Sequence, residues 1–340
     1  MMENIKEILN LDSLKIGYQS GKSKKALLPP ITSSAGRGEL IAVIGRNGIG
    51  KSTLLRTLTG LQPPLGGNIF YYGKKISGYS KMELAQKVGF ISTEIVKVSN
   101  MKVYDLVALG RFPHTNWIGK IESNDRSKIN DALAKTSMQT FSMKFVSRLS
   151  DGERQKVMIA RLLAQDASIM IMDEPTAFID IAGKYEILQL MHTLTHMSDK
   201  TIIFSTHDLQ MAINQSDKVW LILENELIEG APEDLMIAGA FDHLFDSSVV
   251  DFNSEDGTFS FRNNTKGSIC IEGKGHKRHW TEKAISRAGF RVSKEKTNPY
   301  IIIPSGNNNL WKLSAGSYTY ECTSLYELIK CLSDRMPQAI

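Results

Sequence analysis

The run Gly45-Arg46-Asn47-Gly48-Ile49-Gly50-Lys51-Ser52-Thr53 sets glycines, a lysine and hydroxyls close together, a combination suited to holding a chain of phosphates. Glycines at 45, 48 and 50 let the backbone turn tightly enough for its amides to face a β-phosphate. The apolar residues Leu40 to Ile44 ahead of the run read as a strand, and Leu54, Leu55 and Leu58 behind it pack one face of a helix. The phosphate would then sit at the positive end of that helix. Lys51 supplies a fixed cation between β- and γ-phosphates. Ser52 offers its hydroxyl to Mg²⁺, an ion that keeps several waters and takes few protein ligands.

Further along, the apolar residues Ile169 to Met172 lead into Asp173-Glu174-Pro175. Carboxylates at the end of a buried strand need a cation. Asp173 is expected to hold Mg²⁺ through water, and Glu174 to orient and deprotonate a water in line with the γ-phosphoryl; a helix-capping role is the plainer reading of the pair taken alone. Leu149-Ser150-Asp151-Gly152-Glu153 opens a helix, with Ser150 at the N-cap and Gly152 allowing close backbone approach. By itself that segment is a capping motif.

Together these three segments resemble the nucleotide-binding motifs of ABC ATPases, Leu149 to Glu153 being like the family's signature sequence. The resemblance covers about residues 11 to 250. It extends to Tyr18, like the aromatic that stacks on adenine, and to Asp180, in a loop like the one joining the two nucleotide sites. It also takes in His207 of Phe204-Ser205-Thr206-His207-Asp208, like the switch histidine that contacts γ-phosphate. The resemblance implies ATP and Mg²⁺ as cofactors and ATP hydrolysis as the reaction. It implies a second copy of the chain as partner, because Ser150, Gly152 and Glu153 of one copy complete the ATP site of the other. Transmembrane permease subunits, and indirectly a periplasmic or lipoprotein solute-binding protein, are the further partners implied. Nucleic acid is not among them, and the expected place is cytoplasmic, on the inner face of the membrane.

Asp105-Leu106-Val107-Ala108-Leu109-Gly110-Arg111-Phe112-Pro113-His114 is similar to a stretch in the ATPases of importers for ferric siderophores, haem and cobalamin. It otherwise reads as an amphipathic helix ending at Gly110. An ABC ATPase working without a transporter, in cluster assembly or regulation, is the alternative. Two departures from the family pattern stand out. Thr93 occupies the position of the usual glutamine, where it could bond a metal-bound water, with Glu94 as the other substitute. Asp151 and Glu153 stand where Gly and Gln are commoner, which adds negative charge near a partner's phosphates.

The elements that must position these groups follow from hydrophobic patterning. Leu40 to Ile44, Ser168 to Met172 and Thr201 to Ser205 are each followed by a helical pattern, which makes a parallel sheet flanked by helices. Leu14 to Tyr18 and Asn68 to Tyr72 read as antiparallel strands of an edge subdomain, and Val219 to Ile228 as a hairpin turning at Glu224-Asn225. The expected fold is therefore α/β: a P-loop NTPase domain of ABC type over 1–252, with a mixed sheet and a helical insertion at about 95–165. A small α+β accessory domain is expected over 253–340. There, strands are expected at Phe259 to Phe261, Ser268 to Ile271, Tyr300 to Ile303 and Ser317 to Tyr320, with helices near Thr281 to Ala288 and Ser324 to Leu332.

Composition agrees with two ordinary folded domains: 340 residues, 42% hydrophobic and 23% charged. No apolar run approaches the roughly 20 residues that span a bilayer, and Glu3, Lys6 and Glu7 break up any secretory signal. The 3 cysteines, Cys270, Cys322 and Cys331, are too few and too irregular for a disulfide framework and read as reduced core thiols. Residues 253–340 hold 13 Lys and Arg against 8 Asp and Glu, which accounts for the whole net charge of +5. Part of that excess is the loop Gly273-Lys274-Gly275-His276-Lys277-Arg278-His279-Trp280. It reads as a solvated loop or, alternatively, as a seat for an anionic regulator at a helix N-terminus.

Overall fold

The structure, a computed structural model, describes residues 7–21, 23–93, 100–115, 119–244, 250–253, 258–261, 266–293, 299–304 and 309–335. The chain divides into two compact units, Met1–Ser248 with Phe252–Thr258, and Val249–Asp251 with Phe259–Ile340.

In the first unit, β1 (Glu7–Lys15) ends before Tyr18, which instead rides on a hairpin of β2 (Gly17–Ser20) and β3 (Ser23–Ala26). The strand expected over Leu14 to Tyr18 is thus interrupted at Ile16. There the carbonyl accepts from Leu27 N–H at 3.0 Å and leads the chain away from the sheet. Next come β4 (Ile31–Gly36), β5 (Leu40–Gly45), α1 (Lys51–Leu58), β6 (Gly66–Tyr71) and β7 (Lys74–Lys75). The order β4-β1-β6-β7 makes a four-stranded antiparallel sheet.

The main sheet takes β5 together with later strands. These follow α2 (Lys81–Ala85): β8 (Val88–Ile91), then the helices α3 (Val103–Ala108), α4 (Ser123–Lys135) and α5 (Asp151–Ala164), then β9 (Ile169–Met172) and α6 (Ile181–Ser198). The unit continues with β10 (Thr201–Ser205), α7 (Leu209–Gln215), β11 (Lys218–Ile222), β12 (Leu227–Gly230) and α8 (Pro232–Ile237). The sheet order is β12-β11-β5-β10-β9-β8, parallel except for the β11–β12 hairpin.

Burial of both faces of this sheet explains its continuous apolar runs. Leu40, Ala42 and Ile44 join Met170, Met172, Ile202 and Phe204 in one core, with the helices of the insertion. Ile41, Val43, Ile169, Ile171 and Ile203 face the opposite core, with α1 and the antiparallel sheet. Period-two alternation thus assigns each side chain to a layer.

The segment Asp105 to His114 is not one helix ending at Gly110: α3 stops at Ala108 and a 3-10 segment runs over Leu109–His114. A Cβ at Gly110 would stand 2.1 Å from the Arg161 carbonyl, so α5 passes close here. Arg111 fastens the segment, its Nε 2.9 Å from Asp125 Oδ1 and its Nη1 2.8 Å from Ala164 O, with Arg111 and Asp125 both buried. The Glu122 N–H first, and then the Arg111 guanidinium, hold the Asp125 carboxyl below its ordinary value. Asp125→Ala strands a buried cation, and denaturant melts should show a loss of about 3 kcal/mol. Because the folded value is depressed, this contribution is complete above the ordinary aspartate range and disappears as pH falls through the depressed value.

The hairpin of β13 (Val250–Asn253) and β14 (Thr258–Phe261) lies where the chain passes from one unit to the other. The second unit continues with β15 (Ser268–Glu272), α9 (His276–Arg287), β16 (Arg291–Ser293), β17 (Tyr300–Ile302), β18 (Trp311–Ala315), β19 (Tyr318–Cys322) and α10 (Leu325–Arg335). Its five-stranded sheet has the order β16-β15-β17-β18-β19, with β15 parallel to both neighbours and the rest antiparallel. Ile269, Ile271, Ile301 and Leu313 pack there against Ile285, Leu328 and Leu332 of the two helices.

The basic loop expected over Gly273 to Trp280 is largely helical, because α9 already starts at His276. Its crowded charge is relieved from within. Arg278 bonds Glu282 at 2.7 Å and the carbonyls of Ile271 and Gly273 at 3.0 and 3.1 Å, and Trp280 Nε1–H donates to His276 at 2.8 Å. An anion is not required to hold these groups together.

Candidate functional site

The phosphate loop joins β5 to α1. Gly48 (φ +76) and Gly50 (φ +118) occupy backbone conformations that a side chain resists, which is why the run is glycine-rich at these positions. Lys51 is the first residue of α1 and only 6% exposed. Its ammonium donates to Gly45 O at 2.7 Å and Arg46 O at 3.2 Å, and lies 3.5 Å from His207 Nδ1. Burial lowers its pKa, against a smaller upward pull from Glu174 and then Asp173.

Asp173 and Glu174 follow β9, and Ser205 ends the neighbouring β10. Parallel pairing of Met172 with Phe204 brings the two strand ends together. The Ser205 hydroxyl donates to Asp173 Oδ1 at 2.6 Å and accepts from Glu174 N–H at 2.9 Å, so one side chain ties both acidic residues. Glu174 has φ +49, a conformation costing about 1 kcal/mol outside glycine. Its Oε1 meets His207 Nε2. Lys51, Glu174 and His207 thus converge on one cleft of about 340 Å³, lined also by Tyr18, Asn47, Gly48, Gly50, Ser52 and Thr53. Tyr18 Oη is 3.0 Å from Thr53 Oγ1.

Several expected residues lie elsewhere. The Arg46 side chain turns to Leu244 O at 2.9 Å and Glu224 at 3.3 Å, in a separate cavity that Ile49 also lines. The Thr93 hydroxyl donates to Asp173 O at 3.1 Å, steadying the backbone that carries the acidic pair. Glu94 lies outside the described residues. Ser150, at the head of α5, forms a reciprocal cap with Glu153 (2.8 and 3.2 Å), and Asp180 caps α6 through Gly183 N–H at 2.8 Å. Neither these residues nor Gly152 line the cleft that holds Lys51. A Cβ at Gly152 would find only Ile179, at an ordinary 3.7 Å, so nothing described within this chain demands glycine there.

A strand, a glycine loop closing on a helix-borne lysine, and an acidic pair on the adjacent strand define a P-loop nucleotide hydrolase. Comparison narrows the class. The family model for ABC transporters matches residues 28–177, and that for the iron ABC transporter C-terminal domain matches 266–333. An ABC transporter ATP-binding protein of Methanocaldococcus jannaschii is 34% identical over 258 residues, 76% of this chain and 88% of that protein. The ferric enterobactin transport ATP-binding protein FepC of Escherichia coli is 31% identical over 235 residues, 69% of this chain and 85% of that protein. Among solved structures, cbiO1 of Clostridium perfringens, part of the ABC transporter complex cbiONQ, superposes with a TM-score of 0.61 at 29% identity. The match covers 69% of this chain and 92% of that one. The chain belongs to the family of ABC transporter ATP-binding proteins, and it is an ATP-binding ATPase.

Proposed function

We propose that this ATPase powers an importer of chelated iron or a related complex, with ferric siderophore, haem or cobalamin as the class of cargo. The match of residues 266–333 to the iron ABC transporter C-terminal domain carries the importer reading, and the pairing of two copies is carried by the cleft: the one that gathers Lys51, Glu174 and His207 excludes Ser150, Gly152, Glu153 and Asp180. Those residues form a second half-site on the same chain. Two copies arranged head to tail would each supply the half that the other's cleft lacks. Leu109 and Phe112, 53% and 65% exposed on the fastened segment after α3, offer an apolar surface for permease subunits. No described helix is long and apolar enough to cross a membrane, so the membrane-spanning work falls to partners. A solute-binding protein would act on those partners, and this chain would sit at the membrane's inner face.

Mg²⁺ fits the donor set. Among the described residues no group of three His, Cys, Asp or Glu could cage a metal, so the ion would share its coordination with phosphate oxygens and water. Ser52 and the buried Asp173 are the hard oxygen donors that would hold it, and when bound it would neutralise charge on the β- and γ-phosphates. The chain's own groups do the rest. Lys51 binds phosphate oxygens, Glu174 takes a proton from the attacking water, and His207 fixes the Glu174 carboxyl. Thr93 and Ser205 keep the acidic pair in register, while Tyr18 and the loop Gly45 to Thr53 seat the nucleotide.

Purification of the tagged chain from detergent-solubilised membranes of its host should bring permease subunits with it. Recovery of soluble partners alone would overturn the importer reading. Gly152→Ala separates stability from function: the better helix former should raise stability by about 0.5–1 kcal/mol. The same methyl group would intrude where a partner's phosphates approach, and steady-state ATP turnover should fall at least tenfold.

A further inference from the structure

All the cysteines lie in the second unit, and all are free thiols. Two of them converge. Cys322, the last residue of β19, directs its thiol at Cys331 on α10, with the sulfurs 3.9 Å apart. Cys322 is 1% exposed, in the core it shares with Leu328 and Leu332 of the same helix, whereas Cys331 is partly exposed. Cys270 is buried on β15. A disulfide brings its sulfurs to about 2.05 Å, so closure asks for an approach of about 2 Å between side chains that already touch. We propose that Cys322 and Cys331 are a reversible dithiol–disulfide pair, a modification site through which hydroperoxides act on the C-terminal unit.

The chemistry assigns each sulfur a part. Burial foremost, and then the neighbouring Cys331 sulfur, push the Cys322 thiol up to about 11, so Cys322 keeps its proton and donates it. Cys331, partly exposed where Cys322 is buried, is the sulfur that peroxide reaches. Its thiolate attacks one peroxide oxygen, the O–O bond breaks, hydroxide leaves, and Cys331 becomes a sulfenic acid. Cys322 then attacks the Cys331 sulfur and gives up its proton, and the sulfenic oxygen departs as water. Two thiols lose two electrons and two protons, and hydrogen peroxide becomes two waters. The product ties the end of edge strand β19 to the helix that packs behind it.

The test uses the full-length protein, reduced, exposed to excess hydrogen peroxide, then alkylated and digested without reductant. Free thiols should fall from 3 to one, with the peptides bearing Cys322 and Cys331 joined and lighter by two hydrogens. Cys270 should be alkylated, and dithiothreitol should restore every thiol. Cys331→Ser should keep both remaining thiols at the same dose, and Cys270→Ser should still form the bridge. Thiols left intact, a bond to Cys270 or between copies, or Cys331 carried to sulfinic acid without a cross-link would each overturn the proposal. The peptide map of the unsubstituted protein decides the matter even if a variant fails to fold.

Discussion

Glu174→Gln is expected to slow ATP turnover by about a thousandfold, the worth of a well-placed general base, while ATP binding is retained. The substitution is nearly isosteric. The strained backbone at φ +49 and the Glu174 N–H bond to Ser205 involve only main-chain atoms of residue 174, so both survive. The carboxamide can still meet His207, but it cannot accept the proton of the attacking water. A chain that binds ATP and cannot cleave it should remain closed on a second copy. Size-exclusion chromatography with Mg-ATP should therefore show a dimer with Glu174→Gln and mainly monomer with the unsubstituted protein. Turnover unchanged from the unsubstituted rate would remove Glu174 from the role of base. A variant that stayed monomeric while loaded with ATP would instead break the head-to-tail reading, because Ser150, Gly152 and Asp180 would have no partner's nucleotide to meet.

What could be read from the sequence was whatever chemistry or burial writes into adjacent positions. Lys51 sits among its glycines because a phosphate must be wrapped by consecutive amides. Strands β5, β9 and β10 show as unbroken apolar runs because each is buried on both faces. Ser205 has no role legible in its own segment, because its work depends on the pairing of β10 with β9, which sets it beside Asp173 across 32 positions of chain. Its signal was available: a small polar residue that ends a buried strand lies level with the acidic residue that ends the neighbouring one.

Strand β18 is absent from the expected pattern although Trp311 and Leu313 alternate behind the turn-forming run Pro304 to Asn309, since its third buried member is the polar Ser314. The helical start at His276 was hidden by charge. Lys277 and Arg278 in the first turn oppose the helix dipole, and only the geometry shows Arg278 answered by Glu282 and two carbonyls. Arg46 is the reverse case, a loop residue whose side chain and backbone part ways. Membership of the phosphate loop makes it a nucleotide contact by position, yet its guanidinium turns to Leu244 O and Glu224, and its described link to the site is the carbonyl that accepts from Lys51.

Lys51→Ala should weaken Mg-ATP binding about a hundredfold, or close to 3 kcal/mol, the scale of charge-assisted bonds to a buried cation. The direction of its pH dependence is fixed by the site. Burial depresses the lysine pKa, so between that value and the ordinary lysine range the unfolded chain carries a proton that the folded chain has released. Stability of the nucleotide-free protein therefore rises with pH across that window, and the Lys51 contribution is lost as pH falls through the depressed value. ATP reverses the preference, since its phosphates favour the ammonium that Gly45 and Arg46 carbonyls now hold. Binding then takes up a proton and weakens as the medium becomes alkaline. Calorimetry in buffers of different ionisation heat should show that uptake in the unsubstituted protein and lose it in Lys51→Ala. Equal affinities for the two proteins would mean that the ammonium serves only to stitch the loop, and that the glycine amides bind phosphate without it.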